Sequence, residues 1–344
     1  MSEPVTMLES VATTTRTRKG VWRKWLCIAL ILFVVLAVGT ELFARYYLGL
    51  GDPPLCMADP EMVYLFKPNQ TCHRFGNLIH YNAYSMRSDD FPAHKSLPNE
   101  IRVMVIGDSV INGGALTDQS KVCTSILQKS LTSKLRRPVV IGHISAGGWG
   151  PLNQWPFVKK YGLFDADVVV LVFSSHDASS SSLRPTAGID PNFPDHKPWC
   201  ATWEAVMRYL PRYFHTLGSA ASNEGYREGT ADPKMTQQHM VAVKSMINAA
   251  KEIGAKPVVM LHWTQNELHK AESETGWRPK GHRDIEAAAN EAGASVVDLY
   301  SYDEEAKSTP GAYRDDIHLN APGQEIYSRA MEVNCLRLFP EMAQ

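Results

Sequence analysis

Two short stretches carry residue types that together can break an ester bond. Gly107-Asp108-Ser109 follows the apolar run Val103-Met104-Val105-Ile106. A serine on the turn after a strand exposes its hydroxyl and can aim its own N–H at a bound carbonyl oxygen, and Gly107 relieves crowding in that turn. A free hydroxyl is unreactive near neutral pH, so it needs a base. Asp315-Asp316-Ile317-His318 offers one. An offset of three residues inside a turn lets Asp315 reach the imidazole and fix its tautomer, which leaves the other ring nitrogen for Ser109. Asp316 is the adjacent alternative, and the spacing favours Asp315. Each motif has an ordinary reading as well: a simple turn for the first, a loop histidine bonded to a neighbouring carboxylate for the second.

Other chemistry finds less support. His143, His176, His262, His269 and His318 fall in or near loops on the same side, accompanied by Asp108 and Asp177. None of them makes an HExxH pair or another compact ligand motif, so neither a metal nor any other cofactor is expected. Trp149, Trp155, Trp199, Trp203, Trp263 and Trp277 are candidate sugar-stacking faces or ordinary core residues. The 35 basic and 36 acidic residues balance to a net charge of -1, which gives no reason to expect nucleic acid as a partner. The six cysteines contain no CxxC pair. In an oxidising compartment Cys56 and Cys72 are candidates for a bridge, whereas Cys123 falls on a helical apolar stripe and is expected as a buried thiol.

The elements that must position these residues alternate. Strands are expected at 103–106, 139–141, 167–173, 257–261 and 295–299. Helices are expected at 122–135 with Cys123, Leu127, Leu131 and Leu135 four apart, around Met240–Ala250, at Ile285–Ala292 and from near Pro322. The unbroken β-branched run at 167–173 suits a strand covered on both faces. This pattern predicts an α/β fold, a three-layer α/β/α sandwich with a mostly parallel central sheet. Reactive residues in such sheets gather at the carboxyl ends of the strands, where both motifs fall. Residues 45–100, rich in Pro, Asn and Asp, read as an irregular collar packed on a domain at 101–344, with short strands at 64–66 and 78–81. An insertion at about 179–236 is expected to shape the substrate cleft.

One transmembrane helix is expected before all this. Residues 25–44 are apolar apart from Glu41, enough at about 1.5 Å per residue to span a bilayer core. Arg16, Arg18, Lys19, Arg23 and Lys24 precede the run and Arg45 alone follows it. The positive-inside rule leaves 1–24 in the cytoplasm and sends the rest across, as a single-pass inner-membrane protein with a periplasmic or otherwise extracytoplasmic domain. A cleaved signal peptide ending near Ala37-Val38-Gly39 is the competing reading.

Over about residues 101–335 the sequence resembles the SGNH/GDSL hydrolase superfamily, in the form of its membrane-anchored bacterial members. Val105-Ile106-Gly107-Asp108-Ser109 resembles the first block, and Asp315-Asp316-Ile317-His318 the last, so the resemblance implies Ser109 as nucleophile, His318 as base and Asp315 as its partner. Ser145-Ala146-Gly147-Gly148-Trp149-Gly150-Pro151 resembles the second block, which implies that the Gly148 N–H faces the oxyanion. The third block departs from the pattern: Ser174-Ser175-His176-Asp177 carries His176 where such enzymes have an oxyanion-donating Asn. His176 is then either a donor beside the Ser109 and Gly148 N–H groups or a scaffold residue paired with Asp177. Anchored members with a Pro-rich collar also resemble Glu41–Arg87. The resemblance implies an ester hydrolase acting on O-acyl, above all O-acetyl, groups of an extracytoplasmic carbohydrate. The alternatives are an O-acetyltransferase acting on exported polysaccharide with the same Ser–His–Asp machinery, and a non-catalytic binding or scaffold subunit of envelope polysaccharide machinery that kept the fold.

Overall fold

The computed structural model describes residues 16–179, 187–210 and 232–338. Helix α1 (Arg16–Leu42) continues into a π-helical stretch, Phe43–Tyr47. Val21–Tyr47 is long and apolar enough to cross a membrane, and its apolar window has no buried residue. An anchor and a signal sequence share these properties.

Two β-hairpins follow where sequence suggests irregular chain. β1 (Cys56–Asp59) pairs with β2 (Val63–Phe66), and β3 (Gln70–Arg74) with β4 (Asn77–Tyr81). The partners of the two expected short strands, Cys56–Asp59 and Gln70–Arg74, mix apolar with charged or polar residues and show no regular alternation. Cys56 and Cys72, the candidates for a bridge, lie in separate hairpins as buried free thiols. Burial pushes each up to about 12. Cys123 is a buried thiol as expected.

The central sheet has five parallel strands in the order β6-β5-β7-β8-β9: β5 (Ile101–Gly107), β6 (Val139–Ser145), β7 (Val168–Ser174), β8 (Lys256–His262) and β9 (Ser295–Asp298). All seven residues of β5 and of β7 are buried, so period-two alternation sends their side chains into two separate cores. Met104, Ile106, Val169 and Leu171 pack against α4 (Pro151–Tyr161), α6 (Pro233–Glu252), α8 (Lys280–Glu291) and the collar. Val103, Val105, Val168 and Val170 pack against α3 (Cys123–Leu135), α9 (Tyr300–Ser308) and α10 (Ala321–Leu338). This is the expected three-layer sandwich with a parallel sheet. The helices α2 (Ser109–Asn112), α4, α5 (Ala201–Glu204), α7 (Gln265–Ser273) and α9 went unpredicted; apart from α4 they have four or nine residues, too few for periodicity to register.

Residues 180–186 and 211–231 of the expected insertion lie outside the described residues. Its described part packs on the collar, with Cys56 N donating to Pro194 O at 2.7 Å and Lys67 Nζ to Asp195 O at 2.5 Å.

The collar reaches the catalytic side through Arg87, which is fully buried. Its guanidinium donates to the carbonyls of Asn112, Gly114 and Thr117, all in the chain that follows Ser109. Among the described residues it has no carboxylate hydrogen-bond partner, and burial lowers its pKa from the usual arginine range. Arg87→Met would leave several buried carbonyls without a donor, at a cost of about 3 kcal/mol. In detergent or nanodiscs its thermal unfolding midpoint should fall by roughly 6 °C or more. An unchanged midpoint would mean that the collar does not brace this loop.

Candidate active site

Ser109 begins α2 at the carboxyl end of β5, half-buried. Asp108 precedes it as N-cap, with its carboxylate accepting from Val110 N at 2.8 Å. A Cβ on Gly107 would come 2.8 Å from the Ile111 side chain, so the turn excludes larger residues.

His318 reaches this serine from the loop between α9 and α10. Its Nε2 lies 2.8 Å from Ser109 Oγ, and its Nδ1 lies 2.8 Å from Asp315 Oδ2. Asp315 also accepts from the backbone N–H of His318 at 2.8 Å and of Ile317 at 3.1 Å. Burial alone would raise its pKa, but these bonds and the His318 ring hold the carboxyl below the usual range. Asp316 faces elsewhere and accepts from Asn266 N at 2.8 Å. One hydrogen-bonded chain, Asp315–His318–Ser109, thus joins both ends of the domain.

The loop that carries His318 is narrow. Tyr313 and Leu319 form an antiparallel bridge, Arg314 N donates to His318 O at 2.8 Å, and Asn320 N donates to Ala312 O at 2.7 Å. Below it sits a buried cluster for which sequence gave no signal. Asp303 Oδ1 accepts from Tyr327 at 2.6 Å and Tyr313 at 3.0 Å, and lies 3.0 Å from His262 Nδ1. Its other oxygen accepts from Trp263 N at 2.9 Å. The second ring nitrogen of His262 meets Ile317 O at 3.1 Å, next to His318. Burial alone would lower the His262 pKa, and the Asp303 carboxylate more than offsets this, so the net shift is upward. A protonated ring can donate to both partners at once.

The second block also lies alongside. Gly148 adopts φ +71°, a left-handed conformation that favours glycine. The neighbouring Gly147 O accepts from Tyr64 of the collar at 2.7 Å, and Asn112, three residues after Ser109, donates to Ser145 O at 3.0 Å. The loop holding Gly148 is therefore braced from both the collar and the turn that carries Ser109.

His176 is placed differently from a free donor. Its Nε2 lies 3.6 Å from Asp108 Oδ2 and 3.9 Å from Asp177 Oδ1. The 3₁₀ turn that carries it (Ser175–Ala178) packs tightly on α8, where a Cβ on Gly281 would meet Ser175 O at 1.8 Å. Asp177 is fully buried, with Oδ2 accepting from Ser174 N at 2.8 Å and Oδ1 finding no donor among the described residues. Burial pushes this carboxyl up to about 7, with Asp108 adding to the rise and His176 opposing it. A proton on Asp177 is the form that such a site favours.

Among the described residues, Asp108, His176 and Asp177 bring three ligand-type atoms within 4.8 Å of one another, a grouping not visible as a sequence motif. The other histidines weighed as ligands are dispersed. His143 is buried against Thr124 and is pushed down to about 3 by burial and the Arg87 charge. His269 pairs with Glu272 near the surface.

A parallel α/β/α sandwich with a Ser–His–Asp hydrogen-bonded chain at the strand ends defines a class of acyl-transferring enzymes. The chain belongs to the GDSL-like Lipase/Acylhydrolase family, whose model matches residues 105–326. It is accordingly an enzyme of esterase or acyltransferase type. No curated protein sequence matches it. Among solved structures it is similar to an acetylxylan esterase from Geobacillus stearothermophilus, at 13% identity and a TM-score of 0.40, covering 69% of this chain and 93% of that one. A lipase/acylhydrolase from Enterococcus faecalis has 14% identity and a TM-score of 0.37, covering 68% and 96%. An alpha/beta hydrolase enzyme from the metagenome of Lake Arreo, Spain, has 12% identity and a TM-score of 0.43, covering 69% and 96%. At such identities the likeness does not reach substrate.

Asp177 has a measurable signature. Its folded value of about 7 lies above that of an ordinary carboxyl, near 3.9. Between these limits the folded protein keeps a proton that the unfolded chain has lost, so this group's contribution to stability falls as pH rises from about 4 to about 7. Asp177→Asn should remove that slope, and its stability relative to the parent should rise with pH across the window in thermal melts. Parallel pH dependence of the two proteins would mean that Asp177 is ionised throughout.

Proposed function

We propose that the protein is a serine esterase that removes O-acetyl groups from a carbohydrate outside the cytoplasm. The observation that carries the catalytic reading is the unbroken chain of hydrogen bonds from Asp315 through His318 to Ser109, each link at 2.8 Å. His318 Nε2 accepts the Ser109 proton as Oγ attacks the ester carbonyl, and Asp315 stabilises the imidazolium through Nδ1. The oxyanion is held by the N–H groups of Ser109 and Gly148, with His176 contributing. His318 then protonates the departing sugar hydroxyl, and water resolves the acyl-enzyme by the same proton route in reverse.

Two features support the carbohydrate assignment. His318 and Asp315 keep 27% and 49% of their side-chain surface exposed, so an ester on an extended polymer can be approached from the side. The basic cluster before an apolar helix favours a chain anchored in the inner membrane, with residues 1–24 cytoplasmic and the site on the far face. Envelope or exported polysaccharide is the acylated polymer at that location.

Full-length protein in nanodiscs should release acetate from acetylated oligosaccharides, followed by mass spectrometry. Ser109→Ala should lower that rate at least about a thousandfold. Acetylation of an unacetylated acceptor in place of acetate release would assign transfer, which shares the first half-reaction. Neither product across a varied glycan panel, from protein whose Ser109 still reacts with a fluorophosphonate, would reject the acetyl-sugar reading.

His176 is tested separately. With His176→Ala, kcat should fall roughly ten- to a thousandfold, and His176→Asn should restore much of the loss. Unchanged turnover in the Ala variant would leave His176 as scaffold against Asp108 and Asp177.

A further inference from the structure

The end of α1 is bonded to the rest of the protein. Glu41 accepts from Ala201 N at 3.0 Å, Thr202 N at 2.9 Å and the Thr202 hydroxyl at 3.1 Å, so it caps the start of α5. That helix runs on through a π-helical stretch, Ala205–Tyr209, to Leu210. Its inner side is fully engaged. Ala201 packs with Ala44 and Leu50, joined by Phe75, Ala205 and Tyr209. Glu204 makes a buried ion pair with Arg74 at 2.5 Å and accepts from Gly51 N at 2.7 Å.

Its outer side is apolar and open. Trp203, Val206, Met207 and Leu210 are 50%, 43%, 53% and 45% exposed, and Trp199 just ahead of the helix is 90% exposed. A run of large apolar side chains on one helix face marks a contact surface. Tryptophans on a helix whose other face is committed to protein suit the lipid–water boundary, where the indole body is buried and its N–H stays wet. The π-helical stretch after α1, which packs on this helix through Ala44, also exposes large side chains: Phe43, Tyr46 and Tyr47 are 53%, 79% and 78% exposed.

We propose that helix 201–210 is a second membrane contact, lying in the plane of the bilayer surface with Trp199, Trp203, Val206, Met207 and Leu210 among the lipid headgroups and upper acyl chains. The proposal rests on α1 being a bilayer-spanning anchor, because the Glu41 bonds set this helix at the height where α1 leaves the membrane. Two contacts fix a tilt as well as a position. The catalytic side then stands at a set height above the lipid instead of swinging on a tether.

The test uses the full chain in phosphatidylcholine–phosphatidylglycerol vesicles, with lipids brominated either near the headgroup or near the bilayer centre. The difference between the parent and Trp203→Phe isolates the emission of Trp203, and Trp22→Phe with Trp25→Phe does so for α1. Shallow bromolipid should remove roughly half or more of the Trp203 emission, with deep bromolipid and aqueous iodide each removing much less. If Trp22 and Trp25 are quenched by lipid and Trp203 is not, the proposal is overturned. Iodide then tells whether that face is open to water or covered by protein, including a second copy of the chain. If Trp22 and Trp25 also escape every bromolipid, the anchor reading fails and takes the proposal with it.

Discussion

One buried carboxylate, that of Asp303, ties down the loop on which the Ser–His–Asp arrangement is built. His318 sits on a surface loop whose Gly311, Asp315 and Asp316 are exposed, and such a loop would ordinarily sample several conformations. Asp303 removes that freedom from below. It gathers Tyr327 from α10, Tyr313 from the loop itself, and His262 and Trp263 from the end of β8. His262 passes the constraint on to Ile317, the residue before His318. A buried charge without donors costs several kcal/mol, so each of these partners is held in place by the penalty of leaving. His318 is positioned by electrostatics two shells beneath it, while its own side chain stays partly open to solvent.

The sheet was legible because its inner strands β5 and β7 are buried on both faces and read as apolar runs. Val168–Val172 could hardly be anything else. The loops were legible only where a motif marks them: Ser109, His318 and Asp315 come from two blocks, and they lie within hydrogen-bond distance of one another. Arg87 and Asp303 carry no such mark. An arginine or aspartate in a sequence looks solvated by default, and only tertiary packing reveals that these two are fully buried. The collar was obscured for a related reason. Its hairpins bury one or two residues per strand, too few for a periodic signal, and Asn69 and Phe75 take positive φ without being glycine.

His176 shows how a substitution at a shared position changes more than one bond. An asparagine amide has two N–H donors on one nitrogen, and so can serve a carboxylate and an oxyanion together. Imidazole Nε2 has one at most. Here it faces the carboxylates of Asp108 and Asp177, one of them favouring its protonated form. The local charge around the nucleophile therefore depends on where a small number of protons reside.

The hydrogen bond between Ser109 and His318 spans 209 residues of sequence. The serine directly follows the first strand of the central sheet to be synthesised, and the histidine lies on the last loop before the final helix. A chain still being synthesised therefore holds Ser109 long before His318 exists to meet it. The hydrogen bond between them can close only when almost the whole domain has been made. Completion of the fold and assembly of the Ser–His–Asp chain are, for this topology, a single event.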